Sequence, residues 1–164
     1  MALDTFVAGK YDGTYNAVAV GITDQGFELE QNSSAEMIEE SDAYGGSLLD
    51  WVYRGGNVSL QFTGLAYKAG IITPFWPWGS MGVMLTAAAP IGRLASAVAS
   101  AVVLTATANT PAAAAPATLT GSKSILAPNS PARLLYNSKL RKVPIRLSLL
   151  PTLDTGTVTW FTQT

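Results

Sequence analysis

Apolar and polar positions alternate through the N-terminal part of the chain in a way that calls for strands. "FELEQ" (27–31) sets Phe27 and Leu29 on one side and Glu28 and Glu30 on the other, the period-two pattern of a half-buried strand. "NVSLQFTGLAY" (57–67) repeats it, with Val58, Leu60 and Phe62 opposed to Ser59, Gln61 and Thr63. "YNAVAVG" (15–21) is strand-like, and "EMIEES" (36–41) is a shorter, more acidic segment. "TDQG" (23–26), "SDAYGGS" (41–47) and the glycines closing "LLDWVYRGGN" supply turns between them, and together these segments predict a β-meander. Strands return near the C-terminus in "RLLYN", "KVPIRLSLL" and, past a "DTG" turn, "TVTWFTQ". Pro144 falls at the start of its strand, where a missing N–H is tolerated.

The middle of the chain follows a different pattern. "AGIITPFWPWGSMG" carries Pro74 and Pro77 among three aromatics, which predicts a loop or a short helix that breaks. Leu94, Val98 and Val102 fall at i, i+4 and i+8, favouring a short helix, whereas "VVLTAT" (102–107) is β-branched and favours a strand. The apolar run 94–108 therefore reads as a helix passing into a strand. It is no convincing membrane span: it has fifteen residues where about 20 are needed. Arg93, at about +3 kcal/mol on an insertion scale, cancels its five large apolar residues at roughly −0.5 kcal/mol each. "ANTPAAAAPATLTG" (108–121) is Ala/Pro-rich and reads as a loop. No repeat or linker divides the 164 residues, so one domain spanning 1–164 is expected.

Composition narrows the chemistry. The chain has no Cys and no His, which removes disulfides, thiolate ligands, a thiol nucleophile and the commonest general base. Hydrolytic triads of the usual kinds are excluded, "TGSKS" lacks the order of a phosphate loop, and no EF-hand spacing occurs. Neither a cofactor nor a metal is expected, and neither is an enzyme. Glu28 with Glu30, or Glu39 with Glu40, could be paired as carboxylates for glycoside cleavage, but an outward acidic strand face is far commoner.

Charge is sparse, at 13% of residues against 48% hydrophobic, a low density for a surface facing only water. It is also divided: residues 1–50 carry −9 and residues 51–164 carry +8. An acidic face on one copy could meet a basic face on the next, or folding could interleave the two parts. The basic set Lys123, Arg133, Lys139, Arg141, Lys142 and Arg146, with Tyr136 inside it, would also suit phosphates, although the chain is slightly acidic overall and has no recognised nucleic-acid motif. "PFWPW" (74–78) offers Trp76 and Trp78 either as interface anchors or as a satellite of the core.

Taken in order, "GTYNAVAVGITDQGFELE", an acidic strand, "DAYGGSLLDWVYRGGNVSLQFTGL" and "SILAPNSPARLLYNSKLRKVPIRLSLLP" resemble the tail tube (major tail) proteins of tailed bacteriophages. The matching words fall on Val20–Gly26, Asp42–Gly45, Asp50–Gly55 and Val143–Leu150, and the stretch 80–120 matches less well. The resemblance implies an antiparallel β-sandwich or barrel with a flanking short helix and long loops. It implies that copies form rings, hexameric in the family, which stack into a tube conducting DNA in the virion. Tape-measure and terminator proteins, and a sheath where one exists, would be its partners besides itself, with DNA passing through unbound. A neck or distal-tail ring protein is the near alternative, and a nucleic-acid-binding protein using the basic region the distant one. On this expectation Glu28, Glu30, Glu36, Glu39 and Glu40 are candidates for the lumen wall. Asp42, Asp50, Trp76, Trp78, Arg133, Lys139, Arg141 and Lys142 are candidates for contacts between subunits.

Overall fold

The computed structural model describes residues 9–40, 45–81, 85–86, 91–108, 117–128, 130, 133–134, 142–155 and 157–164. The chain is mainly β and its sheets are antiparallel. The principal strands are β1 (Tyr11–Tyr15), β2 (Val18–Ala19), β3 (Thr23–Glu40) and β4 (Ser47–Gly64). After α1 (Ala69–Phe75) and the short pair β5 (Ser80–Met81) and β6 (Leu85–Thr86) comes a single helical turn, α2 (Ala95–Val98). Then follow β7 (Ser100–Ala106), β8 (Thr118–Leu126), β9 (Val143–Leu149), the hairpin β10 (Thr152–Asp154) with β11 (Thr157–Thr159), and β12 (Thr162–Gln163). The main sheet runs β2-β1-β7-β8-β9-β4-β3, with β12 paired to β8.

The expected N-terminal meander is broken, because β2 and β3 stand at opposite edges of the sheet, and β9 enters between β8 and β4. The alternation in "KVPIRLSLL" explains the placement: Val143, Ile145, Leu147 and Leu149 are buried on one face, and Val58, Leu60 and Phe62 stand beside them on β4. Strand β9 buries a side chain at every second position, so a central place stabilises it more than an edge would. Helix α1 covers this face. Ile71 and Phe75 join the sheet residues, Tyr15, Val102, Leu104 and Leu119 in one core cluster. The helix sits close because two glycines permit it: a Cβ on Gly70 would lie 1.8 Å from the Ala19 carbonyl oxygen, and one on Gly64 2.3 Å from Ile71 Cδ1. Pro74 lies in the last turn of α1, at the place where the sequence predicts a break.

Tyr15 and Ser124 find partners under this face, whereas the buried Trp76 Nε1 has none. The Tyr15 hydroxyl donates to the Ser124 carbonyl at 3.1 Å, and the Ser124 hydroxyl donates to the Ser100 carbonyl at 2.8 Å. Burial pushes the Tyr15 phenol above its ordinary pKa, so it stays a neutral donor.

The sheet is not closed into a barrel within one chain. Its edge strands β2 and β3 do not pair, although the sheet curls enough for the Phe27 ring to lie over Gly13 on β1. A cleft of about 580 Å³ remains between the two halves, lined by Phe27, Leu29, Leu60, Leu104 and Leu119.

Three local readings change. "YNAVAV" is two strands, because Asn16 and Ala17 take positive φ (50° and 61°) and make a two-residue turn between Tyr15 and Val18. "TDQG" is a bulge inside β3, where Gln25 and Gly26 also take positive φ and the register slips between Asp24 and Phe27. The glycines of "RGGN" stay within β4, with the register slip taken up at Arg54. The helix–strand reading of 94–108 holds in kind, but the helix is one turn and Val102 already belongs to β7. Of "RLLYN", Arg133 and Leu134 are outside any strand, and 135–137 lie outside the described residues. Most of the Ala/Pro loop, 109–116, also lies outside them. Among the described residues no helix is long and apolar enough to cross a membrane.

Candidate functional site

The feature that most departs from an ordinary domain is the hairpin of β3 and β4. From Thr23 to Gln31 strand β3 pairs with the part of β4 that also pairs with β9. The pairing of β9 ends at Val58, yet β3 and β4 continue together to Glu40 and Ser47. The nine residues from Asn32 to Glu40 carry this arm about 30 Å past the sheet, at roughly 3.3 Å per residue. No third strand pairs with it among the described residues. Every described side chain from Asn32 to Glu39 and from Ser47 to Asn57 is exposed. A free two-stranded ribbon is only marginally stable in water.

The register fixes what each face of the arm carries. Directly opposed residues share a face, so Ala35 with Tyr53, Met37 with Trp51 and Glu39 with Leu48 lie on one side. That side continues the core-facing row of β3, Phe27 and Leu29, and it remains apolar: Met37, Trp51 and Tyr53 are 66%, 49% and 67% exposed. The other side carries Glu36 opposite Val52 and Ile38 opposite Asp50, in line with Glu28 and Glu30 on the outer face of the sheet. The arm therefore extends half of a core with nothing packed on it. Contiguous exposed apolar surface of this kind marks an interaction site.

The outer face of the sheet is polar and internally matched. Glu30 accepts from Asn32 Nδ2 at 2.9 Å, Gln61 Nε2 at 3.0 Å and Arg146 Nη2 at 2.8 Å, while Arg146 Nε donates to Ser59 at 3.2 Å. The Asn32 hydrogen bond, then the Arg146 charge, hold the Glu30 carboxyl below its ordinary pKa. Lys142 bonds Asp24, and Arg54 bonds Glu36 at 3.1 Å. Lys10 and Asp12 form a further exposed pair, whose hydrogen bond lowers the Asp12 pKa. A cleft of about 590 Å³ on this face is lined by Asp24, Glu28, Arg133 and Arg146 among others.

The lumen candidates are thus divided. Glu28, Glu30 and Glu36 share the outer row, Glu39 stands on the apolar side of the arm, and the Glu40 side chain lies outside the described residues. The charge division is partly interleaved by folding, since Asp24–Lys142 and Glu30–Arg146 join the acidic part to the basic part within one chain. Of the proposed subunit contacts, Asp50 is exposed on the arm and accepts the Trp51 N–H at 2.7 Å. Asp42, Lys139 and Arg141 lie outside the described residues. Trp76 packs against the core beside Phe75. Trp78, edge-on to Trp76 at 6.4 Å, lines a separate groove together with Arg93, Val98, Leu126, Pro128 and Leu150. Among the described residues no cluster of three or more carboxylates is placed to hold a metal.

The long exposed arm is not foreseen in the sequence, because "RGGN" reads as a stop. The available signal was the near-equal length of the polar–apolar segments on either side of Gly45 and Gly46, which take positive φ just before β4. No protein-family model matches the chain, and no curated protein matches its sequence.

Proposed function

We propose that this chain is a structural subunit that assembles with copies of itself, and that the assembly is the ring-stacked tail tube of a bacteriophage. The observation that carries the self-assembly step is the arm: an 18-residue hairpin pair whose outer half exposes Met37, Trp51, Tyr53, Leu48 and Leu49. A monomer would leave that surface in water, whereas burial in an interface recovers roughly 25 cal/mol per Å². The open sheet agrees with the reading, since edges left unpaired in one copy can be covered in a ring.

The tube step rests on the resemblance of the turn and strand words, together with the polar outer face. Lys142, Arg146 and Arg54 on this face are each taken by a carboxylate, while Glu28 and Asp50 have no ion pair among the described residues, so the face offers phosphates no unpaired cation from this set, which suits a wall that DNA passes. Glu28, Glu30 and Glu36 are the carboxylates assigned to that wall. Electron microscopy of the purified chain tests the proposal: rings and stacked tubes support it, and a monodisperse monomer at every concentration contradicts it.

A further inference from the structure

We propose that the apolar face of the arm docks into a groove on the next copy of this chain, the one bounded by Trp78, Arg93, Val98, Leu126, Pro128 and Leu150. The inference rests on the self-assembly reading above and supplies the surface that receives the arm.

The groove lies where α2 sits against β8, beside the end of β9. Its volume is about 320 Å³, enough for a large aromatic side chain, and its lining is aliphatic and aromatic except for Ser148 and Arg93. None of the ion pairs among the described residues uses Arg93. The arm presents the complementary set. Trp51, opposite Met37 and followed on the same face by Tyr53, is the kind of residue that anchors an interface in an apolar pocket. Its carboxylates outnumber its cations: Glu36 is taken by Arg54 on the other side of the arm, which leaves Glu39, on the same face as Trp51, to meet Arg93. The guanidinium can also lie over the Trp51 ring.

Charge and position select this occupant over the others. Arm against arm through the apolar face would bring the two Glu39 carboxylates into one apolar interface without the cation that Arg93 supplies in the groove. No residue of the arm lines the groove of its own chain. The contact joins two different patches, so it is head-to-tail, the arrangement that gives rings where its rotation closes and filaments where it does not.

Because the chain has no Cys, thiols can be placed one at a time. Met37→Cys lies on the apolar face of the arm and Ala95→Cys in the groove, both at exposed positions where folding is little affected. Mixing the two variants with a short bis-maleimide is expected to give a covalent dimer, while Glu28→Cys mixed with Ala95→Cys gives none. A chain carrying both M37C and A95C is expected to give a ladder of covalent oligomers, with the same samples imaged by electron microscopy. Rings without the 37–95 adduct overturn the groove and leave self-assembly standing. An adduct that stops at dimers, without rings, supports the docking and removes the ring. Equal adduct from Glu28→Cys, or neither adduct nor assembly, overturns the inference.

Discussion

Replacing Trp51 by Ala separates the stability of the subunit from the stability of the assembly. In the subunit Trp51 is 49% exposed, and its ring lies on an arm that no core element covers. Truncation therefore removes little folding free energy, within the roughly ±0.5 kcal/mol typical of surface positions. On the proposed docking the exposed half of the ring is buried in the assembly. Half of a side chain that presents about 250 Å² is roughly 120 Å², and at ~25 cal/mol per Å² this gives about 3 kcal/mol per contact. The corresponding loss is about 100-fold in the contact constant. The assay is the concentration at which assembly begins, followed by sedimentation and light scattering, with thermal unfolding of the unassembled variant measured in parallel. An unchanged onset of assembly refutes the reasoning. A fall in Tm of more than a few degrees also refutes it, because the ring would then be part of the fold rather than of the interface.

Three further outcomes follow from the geometry. Gly70→Ala places a Cβ against the Ala19 carbonyl oxygen, so α1 must shift from the sheet; a loss of about 1–3 kcal/mol is expected in denaturant unfolding, and an unchanged midpoint contradicts the close packing. Ala17→Gly relieves a positive φ of 61° in the β1–β2 turn, and the variant should be more stable by about 0.5–1 kcal/mol, read as a rise in Tm. Glu30 has a depressed pKa, so its contribution to stability is present above the unfolded-state pKa and is lost as pH falls through the lower folded value. Asn32→Ala and Arg146→Gln should each raise that pKa toward the ordinary carboxylate value, measured by carbon NMR of the side chain; no movement in either variant counts against the network.

The alternating strands were legible because their burial is decided by neighbours at period two. Phe27 and Leu29 face the core and Glu28 faces water, and the same holds along 143–149, while in 58–62 the apolar positions are buried but Ser59 on the other face is covered as well, bonded by Arg146. Strand order was not legible. Placing β9 between β8 and β4 depends on contacts far apart in sequence, and nothing local in "KVPIRLSLL" names its neighbour. Turn chemistry misled where glycine serves a strand. Gly56 stays in β4 because a Cβ there would stand 2.6 Å from the Asn32 carbonyl oxygen, and glycine is the residue that lets the paired strand approach. Asn16–Ala17 turned the chain without a glycine, so it read as strand. The candidate site was half visible. Trp78 and the acidic segment stood out by type, but the apolar side of the arm appears only when Met37 and Trp51 are known to be opposed.

The central claim is that the arm drives assembly and adds nothing to the core. It is tested most directly by removing Asn32–Asn57 and joining Gln31 to Val58, which are register partners, through Asn-Gly. Every residue of the buried core lies outside the excised segment. Light scattering of the full chain and of the shortened one, across concentration, gives the mass of each. Multi-subunit particles are expected for the full chain and a folded monomer with nearly the same Tm for the shortened one; particles of equal mass from both would contradict a driving role for the arm.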